Sequence, residues 1–419
     1  MHKAAVKVIE SGEFPRTSTV MPAQQGAVRV LYSFPHKLGA ARICTTAWHQ
    51  AKGISAAGAD VTVLTGCINR TLPASVQVRT TLAWKKLRLP YKLLGSWRAC
   101  ALHDWLVARK LKNLAGKVDV IHLWPTAALR TIQVAKQFGI PTLLERPNAH
   151  TRFAYEVVQK ECRRLGVSMP SHHEHAFNSA VLEREELEYQ SADYLLCPSD
   201  FVARTFRSEG FSPDKLMRHQ YGYDRELYYP DPGSRSPEPD QGMKVLFAGG
   251  CAPRKGLHYA LDAWLQSSAS RSGTFQIAGE FIPGYAELLS KQLSHPSVKI
   301  LGHRHDLPEL MRHSDVLVLP SIEEGSALAT YEARGCGCVL LVSEASGAVC
   351  RDSENALVHP VGDVLALIRH LNLLDEDRAR LRRMRAASLA TLNEITWEAA
   401  GIRLVQIYRD AMGRKPRTI

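Results

Sequence analysis

The chain has 419 residues, 45% of them apolar, which at roughly 100–200 residues per domain makes room for two or three globular domains and argues against a disordered chain. Its formal charge of +12, from 53 basic and 41 acidic side chains, asks for an anionic partner: a nucleic acid, an anionic lipid surface or a phosphorylated small molecule. Nine scattered cysteines with one CxC and no CxxC pair argue against a disulfide framework or a zinc site and point to a reducing, cytoplasmic setting, while no window reaches the roughly 18 apolar residues of a membrane span.

Residues 1–26 lack the apolar run of a signal peptide and read as a flexible N-terminal segment. "VRVLYSF" (28–34) predicts a strand, "HKLGAAR" a glycine-containing turn, 42–57 a helix and "ADVTVLT" a second strand, together one βαβ unit. The alternation continues through "VDVIHLW" (118–124), "IPTLLE" (140–145) and "ADYLLCPS" (192–199), each followed by helical periodicity. At 228–242, "YYPDPGSRSPEPDQG" has the composition of a linker. Strand and helix then alternate again, through "MKVLFAGG", "TFQIAG", "VKILG", "DVLVLPS" and "VLLVS", and Arg-rich helical segments at 362–391 and 394–413 close the chain. The expected architecture is α/β: two Rossmann-like, doubly wound domains, 27–227 and 243–393, facing across a cleft into which the carboxyl ends of their strands open.

Two strand-to-helix turns carry candidate chemistry. In "FAGGCAPRKG" (247–256) backbone amides of Gly249 and Gly250 and the helix start could face an anion, with Arg254 and Lys255 supplying charge. The glycine spacing matches neither a dinucleotide fingerprint nor a P-loop, and a tight turn with two solvated cations is the plainer reading. In "SIEEGSALATYEARGCG" (321–337), Glu324 falls in the loop and Glu332 in an early helical turn, with Gly325, Ser326, Ala327 and Leu328 at the helix start. Such amides can take a phosphate, and carboxylates accept hydrogen bonds from vicinal sugar hydroxyls. The alternative is a loop charge at Glu324 and a helix-dipole partner at Glu332.

These two turns, with "ILGHRHDLPELMRHSDVLVLPS" between them, resemble the donor domain of the family 4 retaining glycosyltransferases, including its glutamate–seven residues–glutamate motif. "HKLGAAR" resembles the family's glycine-rich first loop, and "ADYLLCPSDFVARTFRSEGFSPDKLMRHQYGYDRELYYP" the region that closes its first domain; the likeness spans about residues 28–412. The resemblance implies a GT-B fold with an acceptor-binding N-terminal domain, a C-terminal domain for a nucleotide-sugar donor, UDP- or GDP-linked, and a closing helix 394–413 that returns to the N-terminal domain. It places Lys255 on the donor diphosphate, Glu324 on the transferred sugar, Glu332 on the ribose, and Gly325 to Leu328 near sugar and phosphate. Arg304 falls near the base, Gly39 in the first loop, and His150 beside the reacting sugar. The family's second diphosphate cation is an arginine where Gly250 stands; Arg254 is the candidate substitute. The methyl of Ala327 also replaces a family glycine, and Glu145 and Arg146, in "ERPNAHT", are expected to pair with each other.

The implied activity is hexose transfer without metal or other cofactor, in polysaccharide or glycoconjugate assembly, with a glycan or lipid-linked acceptor. The lone DxD, Asp375 to Asp377, reads instead as the acidic start of an Arg-rich helix. Residues 84–112 interleave Lys85, Lys86, Arg88, Lys92, Arg98, Arg109, Lys110 and Lys112 with Trp84, Trp97 and Trp105. That pattern fits either a peripheral contact with an anionic membrane or a helix with a solvated basic face and core tryptophans. No nucleic-acid module is recognisable. Rival readings are a nucleotide-sugar epimerase or hydrolase of the same fold, and a non-catalytic nucleotide-sugar-binding component, suggested by the missing arginine at Gly250.

Overall fold

The computed structural model describes residues 26–84, 87–88, 91–171, 173, 175–231 and 242–414; residues 1–25, most of the expected linker, and Lys85 and Lys86 lie outside them. In chain order the strands are β1 (Arg29–Leu38), β2 (Asp60–Ile68), β3 (Gln77–Thr80), β4 (Ala83–Trp84), β5 (Leu87–Arg88), β6 (Val120–Leu123), β7 (Thr142–Glu145), β8 (Tyr194–Cys197), β9 (Leu216–Arg218), β10 (Lys244–Ala248), β11 (Thr274–Ala278), β12 (Val298–Gly302), β13 (Val316–Leu319), β14 (Val339–Ser343) and β15 (Ala356–His359). Two parallel sheets result, ordered β3-β2-β1-β6-β7-β8-β9 and β12-β11-β10-β13-β14-β15, with β4 and β5 as a separate antiparallel pair. Helices cover both faces, so central strands such as β13 and β14 are buried along their whole length and read as unbroken apolar runs. Along β1, alternation sends Val30, Tyr32 and Phe34 into one core cluster and Leu31 into another on the opposite face.

β1 runs four residues beyond the expected "VRVLYSF". After a register shift past Phe34 it pairs Lys37 and Leu38 with Cys67 and Ile68. Gly66 makes this possible, because a Cβ there would lie 2.2 Å from the Pro35 carbonyl oxygen.

The helix Trp397–Gly413 starts on a Thr396 side-chain cap and lies along the helix Ile43–Ala56. Gly53 and Gly401 let the two backbones touch, and Leu404, Val405, Ile407 and Tyr408 enter the core of the first sheet. The Tyr408 hydroxyl meets His122 Nδ1 at 2.7 Å.

Beneath that contact Glu145 and Arg146 do not pair with each other. Adjacent strand residues point to opposite faces. Glu145 accepts from Gln50 Nε2 (2.9 Å) and the Tyr221 hydroxyl (3.0 Å), with His219 Nε2 at 2.9 Å and His122 Nε2 at 3.3 Å. Burial would raise its pKa, but the two histidines outweigh that and hold the carboxyl well below the usual range. Arg146 instead meets Glu185 at 3.3 Å and donates through Nε and Nη2 to the Ala149 carbonyl.

In each sheet the chain order reverses between two central strands, β1/β6 and β10/β13, and ligands of such sheets bind outside the carboxyl ends of the strands at that switch point. The loops leaving β10 and β13 are the two turns singled out in the sequence.

Candidate functional site

From β10 the chain passes through Gly249 and Gly250 into a 3-10 turn, Pro253–Lys255, and from Gly256 into the helix Leu257–Gln266. Gly256 has φ 69°, and a Cβ on it would lie 2.0 Å from the Pro320 carbonyl oxygen of the loop after β13. Only glycine serves there. The Ile322 amide donates to the Arg254 carbonyl at 2.9 Å, so the two loops form one unit and their side chains converge.

At the centre is a cluster of alternating charge, in which Arg254, Glu323 and Glu324 are buried and Lys255 is half-buried. Lys255 Nζ is ion-paired with Glu324 Oε1, and Arg254 Nη1 lies 3.0 Å from Glu324 Oε2. The same guanidinium nitrogen donates to the Glu323 carbonyl oxygen (2.8 Å) and lies 3.2 Å from Glu323 Oε2. Burial lowers the Lys255 pKa, only partly offset by Glu324. Burial would raise the Glu324 carboxyl, but Arg254 and Lys255 prevail and hold it below its ordinary value. Such a neutral cluster keeps two cations out of water at tolerable cost, where one unpaired charge would be costly. The helix Leu328–Gly335 begins beside it without a side-chain cap.

The N-terminal domain closes over this cluster. The Ala149 amide, in the loop after β7, donates to Glu323 Oε1 at 2.9 Å. Gly325 passes directly beneath the Pro147 carbonyl, and Ser199 Oγ donates to the Gly325 carbonyl oxygen. Further out, Glu161 on the helix Thr151–Leu165 accepts from the Tyr259 hydroxyl (2.7 Å) and lies 2.8 Å from His258 Nε2.

The other residues expected at the site are placed as follows. Gly249 (φ 142°) runs beside the Lys255 stem, and Gly250 is exposed, with open space where a side chain would project. Ser326 Oγ donates to the Gly347 carbonyl (2.8 Å) and meets the Tyr331 hydroxyl, and the Ala327 amide is taken by the Ser346 carbonyl at 3.1 Å. These groups therefore brace the loop. Leu328 starts the helix. Glu332, half-buried, is hydrogen-bonded by the Tyr228 hydroxyl, and burial raises its carboxyl to about 7. Arg304, beyond the sheet-edge strand β12, is half-exposed and paired with Asp306. Gly39 follows β1 with φ 77° and packs against Arg70 and Trp48.

His150 is not brought to the cluster. Its ring lies among Tyr189, Phe206 and Phe211 at 4.9–5.8 Å, its buried Nδ1 has no hydrogen-bond partner among the described residues, and burial drops its pKa to about 3. The histidine that does approach is His175, buried, with Nδ1 4.0 Å from Glu323 Oε2. Burial, together with Arg254 and Lys255, keeps it neutral. Asp377 caps the helix Arg378–Ala390 by accepting from the Arg380 amide at 2.7 Å.

Residues 43–222 match the family described as glycosyl transferase 4-like domain, and residues 242–377 the family described as glycosyl transferases group 1. A D-inositol 3-phosphate glycosyltransferase of Streptomyces bingchenggensis is 27% identical over 391 residues, covering 86% of this chain and 83% of that one. The MMP alpha-(1->4)-mannosyltransferase of Mycolicibacterium hassiacum is 23% identical over 73% of this chain and 74% of its own. Among solved structures, HepE of Anabaena in complex with UDP matches with a TM-score of 0.61 at 17% identity, over 91% of this chain and all (100%) of that one. The chain belongs to the family 4 glycosyltransferases of GT-B fold.

In this glycosyltransferase, sequence reasoning passed over Glu323, His175 and Tyr228. Glu323 stood in plain view beside Glu324, but adjacent loop carboxylates do not announce which of them faces the partner domain. The signal for His175 was the polar run "SHHEHAF" between two helices, and for Tyr228 the aromatic pair that opens the linker.

Proposed function

We propose that this glycosyltransferase moves a hexose, with retention of configuration and without a metal, from a uridine- or guanosine-diphosphate sugar to a glycan or lipid-linked acceptor in polysaccharide or glycoconjugate assembly. The observation that carries the reading is the Lys255–Glu324–Arg254 cluster at the switch point of the second sheet. Support for the ligands comes from the neighbours: HepE is described with UDP and with UDP-glucose, and one relative is named as a transferase acting on a diphospho-undecaprenol acceptor.

In the proposed reaction the C1–O bond to the diphosphate breaks, the acceptor oxygen bonds C1 on the same face, and the acceptor proton passes to the leaving phosphate oxygen. Charge builds on the diphosphate, so the groups that matter most are cations and amides already aimed at it. Lys255, Arg254 and the uncapped start of the helix Leu328–Gly335 are those groups. Arg254 takes the place of the cation missing at Gly250. Donor binding is then an exchange: the diphosphate takes Lys255, and Glu324, released, accepts from the sugar hydroxyls. Glu332 accepts from the ribose.

A thermal-shift screen of nucleoside diphosphates and their sugars is expected to find one base that stabilises the protein, with Glu332→Ala abolishing the effect. Because the Glu332 carboxyl titrates near 7 and only its ionised form accepts two hydroxyls, nucleotide affinity falls as pH drops through 7. The expected loss between pH 8 and 6 reaches about tenfold, and Glu332→Gln removes that difference. Absence of any stabilising nucleotide, or unaltered binding in Glu332→Ala, would place the donor elsewhere.

The membrane contact belongs to the same proposal. On the helix Tyr91–Leu111, which is interrupted at Gly95, Trp97 and Trp105 are 45% and 42% exposed, while Ala99, Cys100, His103, Val107 and Leu111 face the core. Arg98, Arg109 and Lys112 are exposed with them, and the Arg109 guanidinium lies 5.6 Å from the Trp105 ring. These tryptophans are therefore not core residues. Among the described residues no helix is long and apolar enough to cross a membrane. Vesicles containing anionic lipid are expected to sediment the wild type, and a Trp97→Ser/Trp105→Ser pair to lower the bound fraction severalfold; equal sedimentation of both proteins sinks the idea.

A further inference from the structure

We propose that Glu323 is a positioning residue: the latch through which closure of the N-terminal domain fixes Arg254 at the donor site. The inference rests on the donor-site reading above for what Arg254 then does, but not for the latch itself.

Glu323 is fully buried and its two oxygens look different ways. Oε1 takes the Ala149 amide of the N-terminal domain at 2.9 Å, and Oε2 lies 3.2 Å from Arg254 Nη1, which also donates to the Glu323 carbonyl oxygen at 2.8 Å. Arg254 therefore has side-chain and backbone anchors on one residue, and that residue's free oxygen is held by the other domain. The loop that presents the Ala149 amide is itself rigid. Arg146 grips the Ala149 carbonyl through two nitrogens at 3.0 and 2.8 Å and is ion-paired with Glu185. A continuous chain of contacts thus runs from Glu185 through Arg146, Ala149 and Glu323 to Arg254 and Glu324, crossing the cleft once, at Glu323 Oε1.

A second contact of the N-terminal domain reaches the same carboxylate, His175 Nδ1 at 4.0 Å from Glu323 Oε2; the remaining interdomain contacts described above differ in kind. Gly325 under Pro147 and Ser199 on the Gly325 carbonyl involve no side chain that also touches a cation of the site. When the cleft opens, Oε1 loses the Ala149 amide to water, and the carboxylate that orders Arg254 gains freedom to turn. An arginine whose aim depends on closure presents its charge to the diphosphate only in the closed cleft, where water is excluded and that charge acts most strongly.

The test uses the full chain and two substitutions. Glu323→Gln keeps an oxygen acceptor for the Ala149 amide, whereas Glu323→Ala removes it. Hydrogen exchange of peptides covering residues 147–150 and the small-angle scattering radius are read first without nucleotide. Glu323→Ala is expected to speed exchange at Ala149 by about tenfold, the range of one charge-assisted hydrogen bond, and to enlarge the scattering radius, with Glu323→Gln restoring both. The affinities of UDP and UMP, and of GDP and GMP, are read next. The preference for the diphosphate is expected to fall in Glu323→Ala and to recover in Glu323→Gln. The latch is overturned if Glu323→Ala exchanges and scatters like the wild type, or if Glu323→Gln is no better than Glu323→Ala. Failure of the wild type to bind any of the four nucleotides would instead overturn the donor-site reading, and the ligand-free measurements would still judge the latch.

Discussion

Lys255→Met is expected to lower kcat/KM for the nucleotide-sugar donor by about 10²–10³-fold, a loss of roughly 3–4 kcal/mol of transition-state stabilisation. Methionine keeps most of the apolar stem and removes only the ammonium, so packing beside Gly249 is little disturbed. The loss exceeds that of a surface cation because Lys255, half-buried, is ion-paired with the buried Glu324, and the diphosphate would meet it largely away from water. Arg254 cannot make up the difference, since it is already divided between Glu323 and Glu324. Lys255→Arg should fail nearly as badly, because a planar fork does not substitute for a point charge in a closed turn. Steady-state kinetics with the donor found in the nucleotide screen check this, and turnover within threefold of wild type would remove Lys255 from the chemistry.

Gly325→Ala is the second large effect. A Cβ at that position would lie 1.5 Å from the Pro147 carbonyl oxygen and 2.4 Å from its carbon. A methyl group has no rotamer with which to escape, and backbone on both sides cannot yield by that much. Either the loop 320–327 retreats, taking Glu324 with it, or the cleft stays open. Activity is expected to fall by about 10²-fold, since misplacing reacting groups by an ångström has that scale of consequence. Each domain should still fold, because the clash lies between domains and not within either core. Gly116→Ala, away from the cleft, is the control: nothing among the described residues lies within 4 Å of its added Cβ, so activity should be unchanged. Scattering on the two variants separates the cases, and a Gly325→Ala protein as compact and active as wild type would mean that the contact with Pro147 is dispensable.

The alternation of strand and helix was legible because parallel strands buried on both faces write themselves as apolar runs, as in "VLVL" at β13 and "VLLVS" at β14. Order along the chain then placed the two key turns at a switch point. The edge strand β3, "QVRT", and the terminal β15, "ALVH", escaped notice because short or half-exposed strands carry little hydrophobic signal. Lys255, Arg254 and Glu324 converge because the 3-10 turn and the loop after β13 are stitched together. Their meeting could be anticipated from the turns, but not their mutual neutralisation, which depends on distances. His150 illustrates the limit: its place in the sequence fits a substrate contact, yet its ring direction is decided by Tyr189, Phe206 and Phe211, and two of these lie more than fifty residues away. Glu145 and Arg146 were adjacent in sequence and are separated by the pleat.

The ion pair between Lys255 and Glu324 bears on how a cycle ends. On the proposed chemistry, once the sugar has moved to the acceptor, Glu324 loses its hydroxyl partners while the nucleoside diphosphate still sits on Lys255. The carboxylate can then retake the lysine, supplying from within the site the counterion that the departing product gives up. Product release would therefore not leave a bare buried cation behind, and the bare diphosphate would be a weaker competitor than its hold on two cations alone implies.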